Sequence, residues 1–221
     1  MNSQYIKEGV DIKLGGHRFK LLNERALFWP DQRMLIIADA HFGKISHFRK
    51  SGASIPVAAI EKQFYRFNGL LKTLLPKKVV FLGDLFHSEY NMEWDFLTRV
   101  LQNYPVMDFI LVQGNHDILN KKFYQSADLK VTDVLEIENL LFSHDEIPIG
   151  GEQFLICGHL HPGFTLGGKG RQRIKLPCLW KSGNKAVLPA YGEFTGLYLV
   201  APDKQDTIYL ITDKRIIPIV F

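Results

Sequence analysis

Residues 34–41 read Met34-Leu35-Ile36-Ile37-Ala38-Asp39-Ala40-His41. An apolar run of five has the length of a buried strand, and this one delivers a carboxylate and an imidazole, two residues apart, into a loop. Working outward, Pro56–Leu75 carries Ile60, Phe64, Phe67, Leu71 and Leu74 at spacings of three to four. That predicts an amphipathic helix, with proline in its first turn and Pro76 beyond its end. Val79–Leu82 reads as a second strand and feeds Gly83-Asp84-Leu85-Phe86-His87. A helix follows over Glu93–Tyr104, with Trp94, Leu97, Leu101 and Tyr104 on one stripe. Phe109–Val112 then leads into Gly114-Asn115-His116-Asp117. Upstream, Val10–Leu14, Arg18–Leu22 and Ala26–Trp29 read as short strands separated by Gly15-Gly16 and Asn23-Glu24.

After a short helix expected near Ile118–Gln125, the pattern turns to strands. Leu140–Ser143 ends on His144, and Phe154–Cys157 precedes Gly158-His159-Leu160-His161. Ile174–Trp180 and Ala186–Ala190 flank Ser182-Gly183-Asn184, a hairpin signal, and Leu197–Val200, Thr207–Ile211 and Ile216–Val220 complete the set. Strand–helix alternation followed by hairpins predicts an α/β sandwich with mixed sheets. In such sheets ligand groups gather beyond the strand ends, which is where all five motifs fall. No linker, repeat or low-complexity stretch interrupts the chain, so 1–221 is expected to form one domain.

Composition narrows the setting. With 221 residues, 46% hydrophobic, the chain can bury a substantial core, and 23% charged with 12% aromatic is globular rather than disordered composition. Cys157 and Cys178 are the two cysteines, both in apolar runs, which argues against a disulfide framework and for a reducing cytoplasm. Met1–Asp11 is polar, and no apolar run reaches the roughly 18 to 20 residues needed to span a membrane. A cytoplasmic protein without membrane association is expected. The net charge is +4, unevenly placed. Lys169, Arg171, Arg173, Lys175, Lys181 and Lys185 face a single acid, Glu152, between residues 151 and 185. Lys44, Arg49 and Lys50 with His47 follow the first motif. Such clusters either hold a polyanion or serve as solubilising loop charge.

Six of the eight histidines lie in the five motifs, among carboxylates and an amide. Neutral imidazoles with hard oxygens suit one or two divalent transition metals, and two ions held close together can activate water against a phosphate ester. Asp39 and His41 can reach one ion from the same loop. The two oxygens of Asp84 can bridge two cations, which a histidine nitrogen cannot do. Asn115 offers an amide oxygen, leaving His116 free to act on substrate, with Asp117 placed to hold that imidazole in its charged form. His159 and His161, on the same side of an extended segment, suit two neighbouring metals. His144 carries only a one-residue signature. Without thiolate ligands, manganese, iron or zinc fit better than magnesium or calcium.

In order, spacing and strand context, Met34 through His161 resembles the calcineurin-like metallophosphoesterase superfamily. The resemblance implies a four-layer αββα sandwich, two mixed sheets flanked by helices, with a dinuclear site at the strand ends. By that resemblance Asp39, His41 and His161 would hold one metal, Asn115, His144 and His159 the other, and Asp84 would bridge them. His116 would be the non-ligand histidine that serves the transition state or the leaving oxygen, and Asp117 the residue that orients it. The ion favoured by resemblance is manganese, and the reaction implied is in-line attack on phosphorus by a hydroxide shared between the ions.

Gly83–His87 is similar to the version found in repair nucleases of this superfamily, whose last histidine, here His87, lies beside DNA. The segments Phe48–Gly52 and Leu188–Gly196 resemble the bacterial ligase-associated DNA-damage-response phosphoesterases, encoded with a DNA ligase and a helicase. This chain departs from them at Leu197 and at Asp145-Glu146. The leading reading is therefore a DNA phosphodiesterase or nuclease in repair, with Lys44, Arg49 and His87 on the substrate. Tyr191 and Phe194 would either stack bases or pack in the fold. A phosphatase or phosphodiesterase of a small metabolite or cyclic nucleotide is the alternative. A silent binding scaffold is disfavoured because every ligand position is present.

Overall fold

The computed structural model describes residues 9–87, 89–168 and 172–221. Two sheets account for most of it. In the first, β1 (Gly9–Leu14), β2 (His17–Leu22), β3 (Ala26–Trp29) and β4 (Met34–Ala38) form an antiparallel meander. From β4 the sheet continues in parallel through β5 (Lys78–Leu82), β6 (Asp108–Val112) and β7 (Leu129–Thr132). Parallel neighbours need crossovers. These are α1 (Lys44–Lys50) with α2 (Ala58–Leu74), then α3 (Met92–Gln102), then α4 (Lys121–Ser126).

The second sheet contains β8 (Leu135–Ile137), β9 (Leu140–Phe142), β10 (Phe154–Cys157), β11 (Pro162–Gly167), β12 (Arg173–Ser182), β13 (Lys185–Val187) and β14 (Tyr198–Leu199). Its order is β14-β11-β12-β13-β10-β9-β8, with β15 (Thr207–Ile211) and β16 (Ile216–Val220) added beside β12. Strands β9, β10 and β13 run parallel, so their C-terminal ends share one edge.

The two sheets face each other across Trp29, Met34, Ile36, Val80, Phe142, Ile156 and Leu179. The outer face of the first sheet is covered by α2, α3 and α4 through Phe64, Phe67, Leu71, Trp94, Leu97 and Tyr124. The strand sequences reflect this: β4 is buried at every residue, because both of its faces are covered. All helices among the described residues lie on that side. Over the second sheet, the loop residues Ile147, Ile149 and Leu160 close a smaller apolar cluster on Leu141, Leu155 and Val187.

Several elements were not legible in the sequence. The helix expected near Ile118–Gln125 begins only at Lys121, where the Asn120 side chain accepts the Lys122 amide. The basic segment 44–50 is itself a helix, while β7, β8 and β11 are short strands whose apolar content is too thin to announce them.

Candidate metal centre

Strand register puts the motifs at one level. Ala38 pairs Leu82 and Leu82 pairs Val112, so Asp39, Asp84 and Asn115 leave the first sheet side by side. In the second sheet Phe142 pairs Ile156, bringing His144 and His159 to the same edge. A parallel bridge, Ala38 to Ala190, joins the two sheets there.

Two groups of ligand-type atoms result. Asp39, His41 and His161 converge within 4.8 Å, and so do Asp84, His144 and His159. In the first group His161 Nε2 stands 3.4 Å from both His41 Nε2 and Asp39 Oδ1. In the second, His144 Nε2 is 3.0 Å from His159 Nδ1 and 3.1 Å from Asn115 Oδ1. Asp84 belongs to both: Oδ2 lies 3.6 Å from His41 Nε2 and Oδ1 lies 3.5 Å from His144 Nε2.

The donor set fits metal ions. Atoms about 2.1 Å from a common ion and separated by ordinary coordination angles stand about 3.0 to 3.4 Å apart, close to the spacings here. Asp39 is 0% and Asp84 2% exposed, and among the described residues neither makes an ion pair with lysine or arginine. Each accepts a backbone amide, Asp39 from His159 and Asp84 from His116, and a bound cation would offset the burial of their charge. Burial pushes the His41 imidazole down to about 2, with Lys44 and His161 adding to the effect, so the ring is neutral and able to donate a lone pair. The Leu82 carbonyl, 3.2 Å from His144 Nδ1, accepts that proton and leaves Nε2 free toward Asp84 and Asn115.

The backbone is strained at the same place. Asp39, His41, Asp84, His159 and His161 all have positive φ, between 47° and 67°. Each costs roughly 1–2 kcal/mol for an L-residue, a cost that persists where function over-determines the geometry. The motif glycines answer to crowding. A Cβ on Gly83 would lie 2.1 Å from His144 Nδ1, and one on Gly158 would lie 2.6 Å from Asp39 Oδ2.

His116 sits at the rim, exposed, with its backbone amide donating to Asp84 Oδ1 at 2.9 Å. Its ring is 4.5 Å from that of His87 and 5.6 Å from that of His41. The contacts of Asp117 in this structure are with backbone. Asp117 is buried, and its two oxygens accept the backbone amides of Gly114 at 2.9 Å and Phe86 at 3.2 Å. It therefore ties the second and third motif loops together. Burial pushes its carboxyl up to about 6, against the pull of those two amides.

Lys44 lies half-buried on α1, close enough to Asp84 and Asp39 to feel their charge. Arg49 is exposed further along, donates to the Ile55 carbonyl and is not part of the ligand cluster. Tyr191 is 0% exposed and cannot stack on a ligand; the alternative of packing in the fold holds. Phe194 remains 36% exposed. Lys169 and Arg171 of the basic stretch lie outside the described residues.

Three supports escaped the sequence reading. Glu93 is fully buried and accepts the amides of Gly43 and Ser46, both at 2.8 Å, capping α1 from α3. Arg66 stacks 4.0 Å from the Tyr191 ring centre, bonds the Tyr191 carbonyl and pairs with Glu193 at 3.1 Å. That holds the loop whose Tyr191 and Gly192 amides bond the Ala38 and Asp39 carbonyls at 2.8 and 3.1 Å. Asp145 places an oxygen 3.4 Å from His159 Nδ1, while Glu146 pairs with Lys185 at 2.7 Å.

The chain belongs to the calcineurin-like phosphoesterase family, whose model matches residues 32–193. It is similar to the solved Pseudomonas putida nuclease MPE, with 28% identity over 96% of this chain and 100% of that one, at a TM-score of 0.80. A protein of unknown function from Aquifex aeolicus, AQ665, matches at 25% identity over 58% of this chain and 78% of its own, with a TM-score of 0.41. No curated protein matches.

Proposed function

We propose that this chain is a dinuclear-metal-dependent phosphodiesterase acting on DNA. The observation that carries the reading is Asp84, a buried carboxylate with one oxygen toward each cluster. In this reading Asp39, His41 and His161 hold one ion, Asn115, His144 and His159 the other, and Asp84 both. Bound there, two divalent ions would neutralise phosphate oxygens and lower the pKa of water. Manganese is favoured, with iron or zinc compatible with the same donors.

The protein's own groups supply the rest. His116, free of the ligand clusters and exposed at the rim, is placed to stabilise charge or pass a proton at the leaving oxygen. Lys44 and His87 flank it on one side. Burial, Lys44 and His116 hold the His87 imidazole down at about 4, so His87 acts there as a neutral hydrogen-bonding group. The DNA reading draws support from the nuclease MPE and from α1, where Arg49 and Lys50 make no ion pair among the described residues. Continuity of the core between the sheets supports treating 1–221 as one unit, and two buried free thiols fit a cytoplasmic setting. Association with a DNA ligase and a helicase is tested by co-purification.

The decisive assay compares wild type, Asp84→Ala and His116→Ala with manganese on bis-p-nitrophenyl phosphate and on single-stranded, nicked and duplex DNA. Asp84→Ala should lose turnover and at least one of the two ions, whereas His116→Ala should lose turnover while retaining metal. Wild type that hydrolyses the chromogenic diester but leaves every DNA intact would redirect the reading to a small phosphodiester.

A further inference from the structure

A cavity of about 890 Å³ opens beside the third motif, between α4 and β7. That volume lies in the range of about 300–1,000 Å³ typical of small-molecule sites. Asn115 lines it, and the oxygen of the same side chain stands 3.1 Å from His144 Nε2, so the cavity abuts the ligand cluster. Its apolar wall is Ile118, Leu129 and Val131; its polar groups include Gln125, Lys121 and the carboxylates of Asp117 and Asp133. Ile118 is 65% and Val131 44% exposed, so both present apolar surface to the cavity.

On the other side of Ile118 the character changes. Ile118 also lines a groove of about 350 Å³ with His47, Lys50, Glu89 and Asn91. An adjoining groove of about 420 Å³ shares Lys50 and Asn91 and adds Arg49. The His47 ring stands 5.8 Å from that of His87, so this track, basic except for Glu89, runs from α1 to the rim of the centre. One side of Ile118 thus suits phosphates, and the other suits a flat apolar body with a hydrogen-bonding edge.

We infer that the cavity is a nucleobase subsite: it receives the base of a nucleotide next to the scissile phosphate, while the α1 grooves carry the neighbouring phosphates and Ile118 packs on the base at the divide. Gln125 supplies donor and acceptor to the base edge, as amide side chains do. Leu129 and Val131 cover its face. The inference rests on the DNA reading above and adds to it where, and by which groups, a base is recognised.

Two substrates with the same charge separate these contributions: a five-residue oligothymidylate, and the same backbone with every base replaced by hydrogen. Wild type with manganese should prefer the base-bearing chain by about tenfold in kcat/KM, equivalent to one good hydrogen-bonding pair. Gln125→Ala, on an exposed helix position, and Val131→Trp, which fills the cavity, should each shrink that preference several-fold. Fluorescence anisotropy with the metal removed should show the same pattern in binding. Equal cleavage of both chains by wild type, or a preference unchanged in both variants, overturns the subsite while leaving the nuclease reading intact. Wild type that cleaves neither chain overturns the subsite; the nuclease reading falls with it only if the longer single-stranded, nicked and duplex DNA also stay intact while bis-p-nitrophenyl phosphate is hydrolysed.

Discussion

Asp84 shows how much one side chain depends on its neighbours. Its φ is 48°, its carboxylate is buried, and both oxygens face imidazole nitrogens. Replacing it with alanine removes the one group common to both clusters. Metal analysis of the purified variant should find at most one ion per chain, and turnover should fall by about 100-fold or more. Gly83→Ala tests the adjacent constraint. A methyl group 2.1 Å from His144 Nδ1 must displace that ring, and φ is 68° there. We expect a stability loss of about 2–4 kcal/mol and loss of the second ion, read by denaturant unfolding and by metal content.

At the scale of elements, α1 and the 188–196 segment are held from outside themselves. Helix α1 opens on Gly43 with no side-chain cap of its own, and Glu93 takes its first amides. Glu93→Ala strands two buried donors at a cost of about 2–4 kcal/mol. At about 2–4 °C per kcal/mol for a chain of this size, the midpoint should fall by roughly 5–15 °C in a thermal melt. Arg66 acts on the loop that brackets Asp39. Arg66→Ala should weaken manganese binding by about tenfold in calorimetry, and Arg66→Lys should recover little, because an ammonium lacks the flat fork that stacks on Tyr191 and reaches Glu193 together.

For the whole molecule, the proposed ions are part of stability. Buried carboxylates and five strained residues in the two clusters are costs that bound cations would offset. Manganese at one hundred times its dissociation constant should add about 2.7 kcal/mol, a rise of roughly 5–10 °C in the melting midpoint, and a chelator should reverse it. A melt that ignores manganese and chelator alike would count against the ion pair. Asp84→Ala should show a smaller rise than wild type in the same experiment.

Read locally, the chain was informative about β4, β5, β6 and β10, because each is an apolar run ending in a polar motif, and about α2 and α3, whose stripes repeat at helical spacing. The two-sheet α/β class and the phosphoesterase family followed from those elements and their order, since a strand and its loop are neighbours in sequence. The backbone tie made by Asp117 and the burial of Tyr191 are not legible locally, because their partners, Phe86 and Arg66, are 31 and 125 residues away. The same distance hid Glu93 as the cap of α1, whose seven residues carry no periodic signal. Residue type and short-range pattern thus determined which chemistry the chain carries and where along it. Only tertiary structure decided which atoms of Asp84 face which cluster and what flanks His116, because convergence of five motif loops from two sheets depends on register and packing that no local stretch encodes.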